Sequence, residues 1–165
     1  MSGDTLLALV AYPDAHPDPR GTVRETYRAS WFPEVPPIKQ LVQSNSKAGV
    51  ARGLHSHAHQ WDVWRFVSDG ARVVLYDPIS DAVQAISADK NCVIAIPPGI
   101  AHGFYTDSGC VLVYALTNEY DGSDESGFFM WDPDFPGRSF FPETATISIR
   151  DMRAPSLKEY RAQRV

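Results

Sequence analysis

The chain has 165 residues, enough for one folded domain and short for two. It is 44% hydrophobic and 12% aromatic, and its net charge of −5 comes from acidic and basic residues scattered along the sequence. No acidic tail marks a solvating segment, and no basic patch interleaved with aromatics marks a nucleic-acid partner.

The N-terminal stretch "MSGDTLLALVAY" lacks a basic region and a cleavage-like site, so no signal peptide is expected. No apolar run approaches the ~20 residues of a membrane helix. Prolines and glycines cut the rest into short segments. Strands are predicted over residues 6–12, 38–45, 63–68, 71–77, 82–87, 92–97, 110–116 and 144–150, each rich in Val, Ile or Tyr and bounded by Asp, Ser, Gly or Pro. "SDGA" at 68–71 lies between two of them and is expected to turn a hairpin. Cys92 and Cys110 each adjoin an apolar run and read as buried free thiols, which fits a reducing cytoplasm. Only the end reads as helix: Ser156, with Glu159 three positions later, forms a capping box ahead of "LKEYRAQRV". One all-β domain over residues 1–165 is expected, of antiparallel sheets packed face to face or curled closed, with a short C-terminal helix or tail at 155–165.

Three of the five histidines fall in "RGLHSHAHQWD", at His55, His57 and His59. Residues two apart on a strand share a face, ~6.6 Å apart, so two neighbours can chelate one ion while all three span too far. Asp62 and the histidine of "PPGIAH", His102, are candidate further ligands. His-x-His, a later carboxylate and Pro-x-Gly-x-x-His together resemble the motifs of metal-binding cupins, which gives His55, His57, Asp62 and His102 as one possible ligand set for a divalent metal. Trp61 and Trp64, three apart, are expected to face opposite ways, one toward a pocket and one into packing.

A second resemblance spans residues 6 to 151. "DPRGTVRETY", "LVQSNSKAGVARGLH", "IPPGIAHGF", "VYALTNEY", "WDPDF" and "ISIRD" occur in the order of the dTDP-4-dehydrorhamnose 3,5-epimerase family. The resemblance implies a cupin-type jelly roll, usually a homodimer whose N-terminal strands cross to the partner's sheet. It implies no cofactor, and a substrate of the dTDP-linked 4-keto-6-deoxy sugar class. Matched residue by residue, it makes His55 the base, Asp151 the residue that orients it, and Tyr114 the acid on the opposite sugar face. Arg20, Glu25, Gln43, Asn45, Arg52, His102, Glu125 and Arg150 would line the nucleotide-sugar pocket. The chemistry suits these types. A 4-keto group acidifies the hydrogens on C3 and C5, and a histidine can take such a proton near neutral pH. Each residue also has a plainer role open to it: core packing for Tyr114, a surface ion pair for Asp151 with Arg150, a solvated charge for Arg52, a structural ring for His102.

The chain departs from the family after the base. Where the family shows Gln-Gly-Lys, this sequence has Gln60-Trp61-Asp62, or, with a shifted gap, Arg65 at the lysine's place. Thr22-Val23 stand where two phenylalanines are usual. Three functions stay open: an epimerase of altered scope, a metal-binding cupin, and a non-catalytic relative that binds a sugar nucleotide. A regular strand would put Arg52 and His55 on opposite faces, so a bulge is expected at Gly53.

Overall fold

The computed structural model describes residues 6–68, 70–120 and 122–163. Two five-stranded antiparallel sheets face each other. The first has the order β1 (Leu9–Ala11), β9 (Val93–Ile96), β6 (Asp62–Phe66), β11 (Cys110–Leu116), β4 (Gln40–Ser46). The second has the order β12 (Glu125–Gly127), β5 (Val50–His57), β10 (Ala101–Thr106), β7 (Ala71–Tyr76), β8 (Val83–Ala88). A separate hairpin pairs β2 (Ala15–Asp18) with β3 (Gly21–Arg24). Among the described residues no helix is long and apolar enough to cross a membrane.

Alternation along the strands builds three packed layers. Between the sheets, Trp64, Phe66, Ile94, Ile96 and Leu112 of the first meet Val73, Leu75 and Phe104 of the second. Behind the second sheet, Leu54, Val74, Tyr76 and Tyr105 pack on Phe128, Met130, Phe135 and Phe141 and on α2 (Leu157–Ala162). Behind the first, Val63, Val93, Ala95 and Ala115 are covered by Phe32, with Tyr27, Trp31, Val35 and Ile38 at its margin. The capping box at Ser156 and Glu159 is present, and it starts α2 so that Leu157 and Tyr160 are buried. Those two side chains contribute about 1.5–3 kcal/mol each by area. The expected helix runs on to residue 165, and its last two residues lie outside the described ones, as do residues 1–5 of the N-terminal stretch.

Two expectations are corrected. "SDGA" does not turn a hairpin: β6 pairs with β9 and β11, whereas β7 pairs with β8 and β10, so the segment carries the chain from one sheet to the other (residue 69 lies outside the described ones). Local turn chemistry reports a reversal and says nothing about which sheet receives the next strand. The segment 144–150 is not a strand. Its one bridge is Thr146 to Val50, after which Ser148 accepts a hydrogen bond from the Asp151 amide and starts α1 (Ile149–Met152). The side-chain cap diverts a β-prone run into a helical turn. Strands β2, β3, β5, β10 and β12 lie outside the predicted segments, each being short or interrupted by His, Pro or Gly.

Candidate active site

Strand β5 supplies more of the cavity lining than any other strand. Leu54 and Ser56 point outward, and the Ser56 hydroxyl is 2.7 Å from that of Tyr160 on α2. His55 and His57 therefore point inward, into a cavity of about 740 Å³ between the sheets. The expected bulge is there: His102 opposes His55 while Phe104 opposes Arg52, so three residues of β5 span two of β10. Gly53 sits in it with φ +99°, and a Cβ at this position would lie 2.6 Å from the His102 carbonyl oxygen. The extra residue puts Arg52 and His55 on the same cavity.

The facing sheet brings Tyr114 and Leu116 of β11, Asp62 and Trp64 of β6, and Gln40, Val42 and Ser44 of β4. Glu125, Arg150 and Asp151 close the rim, with Arg150 paired to both carboxylates. His57 and Asp62 are buried, their Nε2 and Oδ1 atoms 3.7 Å apart. His102 is sealed beneath the cavity, its ring 4.6 Å from that of His55 and its Nε2 3.7 Å from Asp62 Oδ2. The Pro-Pro-Gly turn aims it: the Gly99 amide donates to the His57 carbonyl, and His102 Nδ1 donates to Ile100 O.

The electrostatics follow from this crowding. Burial, then the neighbouring His102 and His57 rings, push His55 well below the ordinary imidazole range, with Asp62 opposing. Burial also lowers His57, again against Asp62. Burial alone would raise the Asp62 carboxyl, but the His102 and His57 rings and the Trp64 indole hold it well below the usual carboxylate range. Burial raises the Tyr114 phenol, which stays protonated at neutral pH.

With this geometry in place, likeness to known proteins is informative. A family model described as dTDP-4-dehydrorhamnose 3,5-epimerase matches residues 7–159. The chain belongs to that family. It is 29% identical over 167 residues to the dTDP-4-dehydrorhamnose 3,5-epimerase of Salmonella typhimurium, covering 92% of this chain and 91% of that protein. It is 30% identical over 115 residues to the spore coat polysaccharide biosynthesis protein SpsL of Bacillus subtilis, 58% of this chain and 76% of that one. The rmlC epimerase of Mycobacterium tuberculosis superposes with a TM-score of 0.83 at 26% identity, over 97% of this chain and 88% of that one. The two-sheet architecture is thus the cupin-type jelly roll of the dTDP-4-dehydrorhamnose 3,5-epimerase family.

The site residues expected for the family divide into three groups. His55, Tyr114, Arg52, Glu125, Arg150 and Asp151 meet in the cavity. Asp151 is buried there, yet no hydrogen bond joins it to His55: its Oδ1 accepts from Arg150 Nε at 3.3 Å, and His55 Nδ1 is buried without a partner. His102 stands behind the wall instead of lining it. Gln43 and Asn45 are corrected: they are exposed, hydrogen-bonded to each other, and on the outer face of β4, because the strand presents 40, 42 and 44 inward. Arg20 and Glu25 also lie outside the cavity, the first in the β2–β3 hairpin paired with Asp18 and the second just after it paired with Arg28. Of the two candidates left open at the lysine's place, Asp62 borders the cavity, whereas Arg65 is on the far face of β6 and donates to the Cys92 carbonyl. Trp64 reaches the cavity and Trp61 packs behind the sheet, as expected from their spacing. Gln60 was overlooked. It lies two before Asp62 and donates to Oδ1 at 2.7 Å, while Trp64, two after, donates to Oδ2 at 3.1 Å. Period-two spacing around the aspartate was the signal that marked both.

Proposed function

We propose that the chain epimerises a dTDP-linked 4-keto-6-deoxyhexose at C3, C5 or both. One observation carries the reading: His55 on one sheet and Tyr114 on the other border the same cavity, so a base and an acid approach a bound sugar ring from opposite faces. His55 takes the proton from the carbon beside the ketone, the C–H electrons form the enolate, and the negative charge settles on the C4 oxygen. Tyr114 then donates its hydroxyl proton to the same carbon from the other side. A proton returned from His55 to the phenolate through solvent resets the pair. No oxidation state changes overall, so the reaction as proposed calls for no redox cofactor. Arg52 and Arg150 supply positive charge at the cavity for a diphosphate.

The unit that carries this out is proposed to be a homodimer. The β2–β3 hairpin is exposed along β2 and most of β3, and it pairs with neither sheet. A lone two-stranded hairpin is marginal in water. A second copy would give it a sheet to join and would bring Arg20 and Glu25 to the partner's cavity. Two buried thiols, Cys92 and Cys110, suit a reducing cytoplasm.

Deuterium exchange tests the reading. With dTDP-4-keto-6-deoxyglucose in D₂O, the protein should place deuterium at C3, C5 or both, resolved by NMR. His55→Asn, folded by circular dichroism, should exchange about 10²–10⁴-fold more slowly. Exchange at the parental rate in that variant would remove His55 as the base.

A further inference from the structure

We infer that His57, Asp62 and His102 form a binding site for a divalent transition-metal ion of the zinc, iron, manganese or cobalt class. The ligand atoms of these three and His55 all lie within 4.8 Å of one another. Asp62 already stands 3.7 Å from Nε2 of His57 through Oδ1 and 3.7 Å from Nε2 of His102 through Oδ2. Ligands ~2.1 Å from a tetrahedral ion lie ~3.4 Å apart, so each histidine–aspartate separation need close by only a few tenths of an ångström, with the two carboxylate oxygens each facing one ring.

The surroundings fit ligands more than an ordinary polar cluster. His102 Nδ1 donates to the Ile100 carbonyl, so Nε2 is the ring atom that faces Asp62, and that nitrogen is buried with no hydrogen-bond partner. At 3.7 Å the ring nitrogen and the carboxylate are too far apart to bond directly, and a cation between them would give the buried nitrogen its missing partner. Both Asp62 oxygens are held from behind, Oδ1 by Gln60 and Oδ2 by Trp64, as outer groups hold metal-binding carboxylates. The donors are imidazole and carboxylate with no thiolate, which sets the metal class.

His55 is the least buried of the four, and it faces the cavity. It stays outside the coordination shell and remains available as the base. The ion's role, as distinct from its binding, rests on the proposed epimerase reading. Asp62 alone puts a negative charge beside the place where an enolate forms. A bound dication reverses that sign and, since His57 and Asp62 border the cavity, stabilises the C4 oxyanion as a Lewis acid.

The test begins with chelator-treated protein titrated with Co²⁺ and Zn²⁺. Stoichiometry comes from elemental analysis after gel filtration, and coordination from the visible ligand-field bands of cobalt. The expected result is one ion per chain in the parent and in His55→Asn, and binding at least tenfold weaker in Asp62→Ala and His57→Ala. A parent protein that retains no ion overturns the site, whatever the variants do. Ion binding abolished as fully by His55→Asn as by Asp62→Ala overturns the three-ligand assignment. Deuterium exchange on the same samples separates the two readings. Ion bound but exchange undiminished by chelator removes the ion's catalytic role, and ion bound with no exchange removes the epimerase while the site stands.

Discussion

At the scale of the residue, the site rests on contrasts of environment between like groups. Three histidines lie within 4.6–5.8 Å of one another ring to ring, yet their settings differ: His55 and His57 border the cavity, Asp62 stands 3.7 Å from His57 and His102, and His102 bonds a backbone carbonyl. Tyr114 is the counterpart of His55 on the facing sheet, and burial keeps its proton on. Tyr114→Phe removes that proton and leaves the ring packing. Deuterium should still wash in with retention from the His55 side, while inverted product falls by about 10²–10⁴-fold. Loss of retention and inversion to the same degree would show that Tyr114 serves binding, since the two readouts share only the bound sugar. Asp151 was expected to orient His55, and its residue type and place in the chain were legible. That its carboxylate turns to Arg150 instead depends on the Ser148 cap, three positions away, and on an arginine whose partner Glu125 lies in β12.

At the scale of the element, β5 is the piece on which the site is assembled. Its sequence carries both the alternation that sends Leu54 and Ser56 outward and the glycine that breaks it. Gly103 of β10 meets the bulge from the other side, where a Cβ would lie 2.5 Å from the Arg52 carbonyl oxygen. Gly53→Ala would both clash with His102 backbone and force a side chain into positive φ. It should cost on the order of 1–3 kcal/mol, measured by thermal denaturation, and exchange activity should fall with it because Arg52 and His55 lose their common face. An unchanged melting temperature would mean that the bulge relaxes elsewhere along β5. The bulge was legible because the need for Arg52 and His55 together conflicts with a regular strand. The register of β4 was not. Its residue types allow either face, and only pairing with β11, Val42 beside Tyr114 and Gln43 beside Val113, puts Gln43 and Asn45 outside.

At the scale of the whole molecule, the β2–β3 hairpin leaves Arg20 remote from its own cavity. If a second copy receives it, sedimentation equilibrium should give the mass of two chains. His55→Asn and Arg20→Ala subunits, each weak alone, should regain exchange when mixed, because one cavity of each mixed dimer then has both residues intact. A monomeric mass, or no recovery on mixing, would remove Arg20 from the site. The sheets themselves set the larger geometry. β6 and β11 face β5 and β10 across the layer, so residues distant in sequence, Asp62 and His102, come within 3.7 Å.

The sequence by itself determined the strand class, the shared face of His55 and His57, the bulge at Gly53, the split of Trp61 and Trp64, the cap of α2 and the family. All but the last depend on spacing along one segment, where backbone geometry leaves few choices; family resemblance depends on the order of motifs. Tertiary structure alone decided that β6 and β7 belong to different sheets, that 144–150 bends into a helix, that Asp62 and not Arg65 meets the histidines, and that Arg20 and Glu25 stay outside. Those outcomes depend on which strand pairs with which and in what register. Such choices are settled by burial and hydrogen bonding between distant segments, and no local pattern encodes them.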